Sequence, residues 1–213
     1  MKPDDSREAV VLVHGLWVNG MDMSLLRYRL SEHYDTFQFS YNTVQNSPAE
    51  NAAQLNDFVS GIDHKVIHFV GHSLGGLVIR QFFHLFPEQA EGRVVSLGSP
   101  HKQSHSARQL STFSFTRMLL GKSIEDGLLG EMPPWQGQTE LGSIAGSLRL
   151  GMGVIIPGLP RPNDGTVSVE ETRLEGMSDH LVLPLSHFGL VLSYKAFEAV
   201  VYFLQNGNFQ QNH

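Results

Sequence analysis

The stretch that most constrains the fold runs from Lys65 to Phe86, KVIHFVGHSLGGLVIRQFFHLF. Val66-Ile67-His68-Phe69-Val70 is a short apolar run of β-formers, the pattern of a strand buried on both faces of a parallel sheet. Gly71-His72-Ser73-Leu74-Gly75 follows, with a second glycine at Gly76. Leu74, Leu77, Val78, Phe82 and Leu85 then recur at helical spacing until Pro87 ends the run. Strand, G-x-S-x-G and helix in that order form a nucleophile elbow, a tight turn that sets a strained serine at the carboxyl end of a strand. By itself the pentapeptide also suits a Gly-rich strand-to-helix loop. The flanking strand and helix give it its meaning and make Ser73 the candidate nucleophile.

The remaining segments supply a sheet for that elbow. Ala9–Val13 reads as a first core strand ending in His14-Gly15-Leu16-Trp17, and a helix after Asn19 carries Leu25, Leu26 and Leu30 on one face. Phe37–Tyr41 alternates as a second strand, placed at an edge. Ser47-Pro48 opens a helix, serine at the N-cap and proline in the first turn, with Ala52, Leu55, Phe58 and Val59 inward. Arg93–Gly98 is a further strand before Ser99-Pro100. From 101 to about 140 the alternation stops. This insertion carries Leu110, Phe113, Met118 and Trp135, and its apolar residues at helical spacing suggest amphipathic helices, either a lid or a piece of core. Leu141–Ala145 resumes strand character, and a Gly/Pro-rich loop leads to Asn163-Asp164-Gly165. Leu181–Leu185 reads as the last strand, and one closing helix holds Leu190, Val191, Tyr194, Phe197, Val200, Val201 and Leu204.

Alternating strands and helices predict a parallel sheet with helices on both faces, one domain over 1–213. In such sheets functional groups gather beyond the carboxyl ends of the strands. His14, Ser73, Ser99, Asp164 and His187 all fall just after a strand or in the loop that follows one.

Composition narrows the function classes. A formal charge of -6, a pI near 6.0 and the lack of any Lys/Arg cluster argue against a nucleic-acid partner. There is no cysteine, which excludes thiol catalysis, disulfides and thiolate metal sites. MKPDDSREAV lacks an apolar signal core, and no apolar run reaches membrane-spanning length, so the expectation is a cytoplasmic protein without an integral membrane segment.

VLVHGLW, GHSLGG, NDG and a late SHFGL, in that order, resemble the α/β-hydrolase fold, in particular compact bacterial lipases and esterases. The resemblance spans nearly the whole chain apart from 101–140. It implies the chain order Ser, Asp, His, met by Ser73, Asp164 and His187, and a minimal sheet of about six strands. It also implies an oxyanion hole of two backbone N–H groups, those of Leu16 and Leu74. No cofactor or metal is implied, and the substrate is a small ester with an apolar acyl or alcohol part.

The residue chemistry supports these roles and sets their rivals. A serine hydroxyl needs a base near pH 7, and a neutral imidazole backed by a carboxylate serves. Of eleven histidines, His187 follows the last strand and precedes the closing helix. His180 is its rival but precedes that strand, on the opposite edge of the sheet. His68 and His84 read as packed side chains. His101 and His105, four apart, have a metal-binding spacing but no third ligand. Asn-Asp-Gly is also a good turn, and Asp164 can serve as turn and as carboxylate together. Asp179 is the fallback acid, then Glu170 and Glu171. His14 reads as a brace of its loop. Trp17 either floors an acyl pocket or packs, and His72 lines the site or packs. The same triad also suits thioester, amide or acyl-transfer chemistry, and a fold kept for binding without turnover is the non-enzymatic alternative.

Overall fold

The computed structural model describes residues 7–16, 21–102, 132–136, 139–150 and 159–209. Six strands form one sheet in the order β2-β1-β3-β4-β5-β6, all neighbours parallel. They are β1 (Ala9–Val13), β2 (Asp35–Phe39), β3 (Ile67–His72), β4 (Val94–Leu97), β5 (Leu141–Gly146) and β6 (Asp179–Leu183). The helices are α1 (Ser24–Leu30), α2 (Pro48–Ser60), α3 (Leu74–Leu85), α4 (Gly189–Leu192) and α5 (Tyr194–Asn206), with a 3-10 turn at Met21–Met23. This is a minimal α/β-hydrolase fold.

The sheet divides the apolar residues into two layers. Side chains alternate along a strand, so Val10 and Leu12 of β1 pack with Leu26, Leu30, Leu190, Val200 and Phe203 on one face. Ala9, Val11 and Val13 pack with Ala52, Leu55, Val78 and Phe82 on the other. Central strands β1, β3, β4 and β5 are buried throughout, whereas β2, at the edge, is half-buried over most of its length. Helix α2 opens on a full capping box: Glu50 N–H donates to Ser47 Oγ and Ser47 N–H donates to Glu50 Oε2.

Several expectations shift by a turn or a residue pair. Strands β2 and β6 each begin and end two residues earlier than their sequence pattern suggests. Leu25 and Leu85 are exposed rather than inward: the buried residues of α1 are Leu26 and Leu30, and Leu85 ends α3, beyond its last buried position at Phe83. The closing helix is two helices, broken where Ser193 takes an extended conformation and caps α5 through Ala196 N–H. Tyr194 is accordingly exposed. His84 is exposed in the last turn of α3, not packed. Most of the 101–140 insertion, with His105, and Trp17 lie outside the described residues. Among the described residues no helix is long and apolar enough to cross a membrane.

Candidate active site

Strand β3 delivers the elbow. Ser73 has φ 54 and ψ -120, the one non-glycine residue with positive φ among the described residues, and its N–H donates to Leu97 O of the next strand at 2.9 Å. A non-glycine residue in this region is strained by about 1–3 kcal/mol and persists only where its surroundings enforce it. The glycines leave those surroundings room. A Cβ on Gly75 would lie 2.1 Å from Val13 O, and one on Gly71 would lie 2.6 Å from Gly76 N.

Asp164 is fully buried in the loop after β5 and is bonded on every side. Its Oδ1 accepts from Thr166 N–H at 2.8 Å and from Val167 N–H at 2.7 Å, closing the turn. That leaves Oδ2 for His187, whose Nδ1–H donates to it at 2.7 Å. The His187 backbone N–H also donates to Asp164 O at 2.9 Å. The turn role and the carboxylate role are thus carried by different oxygens of one side chain. With Nδ1 protonated toward the carboxylate, the neutral His187 ring presents Nε2 as its basic atom.

His187 is joined to the elbow as well as to the Asp164 loop. The His72 ring lies 4.7 Å from the His187 ring, and His72 Nε2 is 3.3 Å from His187 O. Gly15 closes the other side: a Cβ there would stand 3.1 Å from Ser73 Cβ and 3.3 Å from His72 Nδ1. Leu16, in the loop beyond β1, is half-buried, and Leu74 begins α3, where first-turn N–H groups have no partner inside the helix.

His14 is placed as a brace. Its Nδ1–H donates to Gly15 O at 2.9 Å, its Nε2 accepts Tyr41 N–H at 3.4 Å, and its ring stacks on Tyr41 at 4.5 Å. Burial lowers its proton affinity below the usual imidazole range, in keeping with a neutral ring.

The rivals are engaged elsewhere. His180 lies within β6, not before it, and its Nε2–H donates to Thr172 Oγ1 at 2.9 Å. Asp179 accepts from His180 N–H at 2.7 Å and from Phe209 N–H at 2.8 Å. Glu170 pairs with Lys102, and Glu171 accepts from Ser168 N–H at 2.7 Å. His101 contacts Ser96 Oγ at 2.9 Å, and the described residues hold no cluster suited to a metal ion.

Three contributors have no clear mark in the sequence. Asp22 reaches His72 Nδ1 across fifty positions, at 3.2 Å. Gly98 has φ +58, and a Cβ there would lie 3.1 Å from both Asp164 Oδ2 and His187 Nδ1. The apolar pattern counts it as the last residue of the Arg93–Gly98 strand, whereas β4 ends at Leu97. Arg80 is buried, and its guanidinium donates to the backbone oxygens of Pro133 at 2.6 Å, His101 at 2.7 Å and Met132 at 3.2 Å.

A parallel six-stranded sheet whose elbow serine and acid–imidazole pair share the carboxyl rim defines the α/β-hydrolase architecture. The chain belongs to the alpha/beta hydrolase family, whose model matches residues 10–204. The structure is similar to the mature form of the lipase BlEst2 from Bacillus licheniformis, at 20% identity and TM-score 0.72, covering 96% of this chain and 94% of that one. It is similar to the carboxylesterase CesB (YbfK) from Bacillus subtilis, at 13% identity and TM-score 0.61, covering 95% and 85%. It also resembles the metagenomic carboxyl esterase MGS0156, at 19% identity and TM-score 0.63, covering 84% of this chain and 64% of that one. A search of curated protein sequences finds no match.

Proposed function

We propose that this chain is a serine hydrolase of carboxylic esters that works through an acyl-enzyme on Ser73. His187 Nε2 takes the Ser73 hydroxyl proton as Oγ attacks the ester carbonyl. The oxyanion so formed is held by the backbone N–H groups of Leu16 and Leu74, and Asp164 fixes the His187 tautomer and stabilises its imidazolium. The imidazolium returns the proton to the leaving alkoxide, and the alcohol departs. Water, deprotonated by His187, then attacks the acyl carbonyl, and the carboxylic acid leaves as Ser73 regains its proton. No step needs a metal or an electron carrier.

The observation that carries this reading is the doubled hydrogen bond between Asp164 and His187, against the residue that precedes a strained Ser73. The similarity to lipases and carboxylesterases supports ester substrates. The test is labelling with a fluorophosphonate probe, expected for the wild-type chain and lost in Ser73→Ala, with turnover of a p-nitrophenyl ester series lost in parallel. Labelling that survives in Ser73→Ala would overturn the assignment. An ester and thioester series of matched chain length then fixes the bond cleaved.

A further inference from the structure

A second carboxylate–imidazole pair stands beside the first. Asp22, in the 3-10 turn after β1, places Oδ2 3.2 Å from His72 Nδ1, and the two side chains are only 5% and 2% exposed. The His72 ring in turn lies 4.7 Å from that of His187. Asp22 therefore sits one ring away from His187.

The protons on this line can be counted. A carboxylate only accepts, so His72 Nδ1–H donates to Asp22, and a charge-assisted bond of this kind outcompetes one to a neutral carbonyl. A neutral ring has one proton, so Nε2 then turns a lone pair toward His187 O, 3.3 Å away. Burial lowers the proton affinity of His72, and Asp22 opposes that only in part. The pair thus carries one net negative charge next to the base. Its other titratable neighbours are uncharged near neutrality: burial lowers His14 and raises Tyr41, the two groups that feel Asp22 from the ends of β1 and β2.

We propose that Asp22 and His72 are positioning residues for the base, holding a negative charge beside His187 that stabilises the imidazolium formed when it takes the proton of Ser73. The inference rests on the roles of Ser73 and His187 given above. On the acid side His72 gains a second proton, donates it to His187 O, and the pair becomes neutral.

Asp22→Asn removes the charge but keeps an amide oxygen to accept from His72 Nδ1–H, so the ring stays in place. The readout is the rate of fluorophosphonate labelling against pH. The plateau is expected to fall roughly tenfold, the scale of one charge acting across a partly screened interior. The midpoint of the acid limb should move down by about half to one pH unit, since a base that loses a nearby anion gives up its proton more readily. His72→Phe strips the buried Asp22 carboxylate of its ring donor, and an unpaired carboxylate in so dry a setting is held neutral. The charge is then lost from the other end, so the same shift is expected, and the double variant should lose no more than either single one. An unmoved acid limb in a folded Asp22→Asn chain, whether or not the rate falls, would overturn the inference, as would additive losses in the double variant. Should Asp22→Asn not fold, His72→Phe alone decides by the same limb. If Ser73→Ala still labels, it is the nucleophile assignment that fails; if labelling is confined to Ser73 and only the limb is unmoved, this inference alone falls.

Discussion

His187 is bonded to Asp164 twice, ring to carboxylate at 2.7 Å and backbone N–H to backbone carbonyl at 2.9 Å. The second bond fixes where His187 sits, and the first fixes which way its ring faces. Losing the carboxylate charge therefore need not displace the loop.

Asp164→Asn separates those two functions. The amide oxygen can still accept from Thr166 and Val167, so the turn survives. The amide nitrogen then faces His187 Nδ1, which favours the wrong tautomer and removes the basic lone pair from Nε2. Ester turnover should fall by roughly 10³–10⁴ with the fold kept. Steady-state kinetics beside a thermal melt check this, and near-normal turnover would move the acid role away from Asp164.

Gly98→Ala should damage the same pair without touching either member. The added methyl would lie 3.1 Å from Asp164 Oδ2 and from His187 Nδ1, at a φ of +58 that alanine resists. We expect a loss of about 1–2 kcal/mol in stability from the backbone alone. Turnover should drop further than that instability accounts for, which kcat measured well below the melting temperature will show.

Arg80→Met tests how the chain is tied on either side of 103–131. Three carbonyl oxygens lose their donor at once. Burial already draws the guanidinium down to about 10, so its bonds are made in a weakly hydrated setting. The expected cost is about 2–4 kcal/mol, since buried acceptors are left unsatisfied. For a chain of this size that is a fall of roughly 5–15 °C in Tm. A melt within a degree of wild type would show that other groups take over those carbonyls.

Acid stability has a named contributor in His101, whose proton affinity is pulled down to about 3, first by burial and then by Arg80 and His180. In the unfolded chain this ring titrates near its usual 6.5. Between those values the unfolded state binds the extra proton. Stability is therefore complete above about pH 6.5 and falls toward pH 3, by up to about 1.4 kcal/mol per pH unit for this one group. His101→Gln should flatten the dependence of Tm on pH over that window, even if its Tm at pH 8 is lower. An unchanged slope would assign the acid sensitivity to other groups.

Legibility in the sequence followed the range of the forces involved. The elbow could be read because strand, glycines and helix are contiguous, and Ser47-Pro48 because a cap acts over one turn. Sites after β1, β3, β5 and β6 could be placed on one rim because parallel strands leave no other arrangement. Leu25 and Leu85 could not, since which apolar residues of a helix are buried depends on the neighbour it meets. The end of β6 was misplaced because Leu185 continues the apolar pattern beyond the pairing with β5, which stops at Leu183. Asp22 was invisible for a simpler reason: its partner His72 lies fifty positions on, and neither residue type alone implies the other.

The dihedral angles of Ser73 have a cost that outlasts any single turnover. A glycine at 73 would adopt φ 54 without penalty, so Ser73→Gly should leave the folded state more resistant to denaturant than the native chain. Stability alone favours glycine at 73; the serine holds its hydroxyl at the carboxyl end of β3 at the expense of that margin.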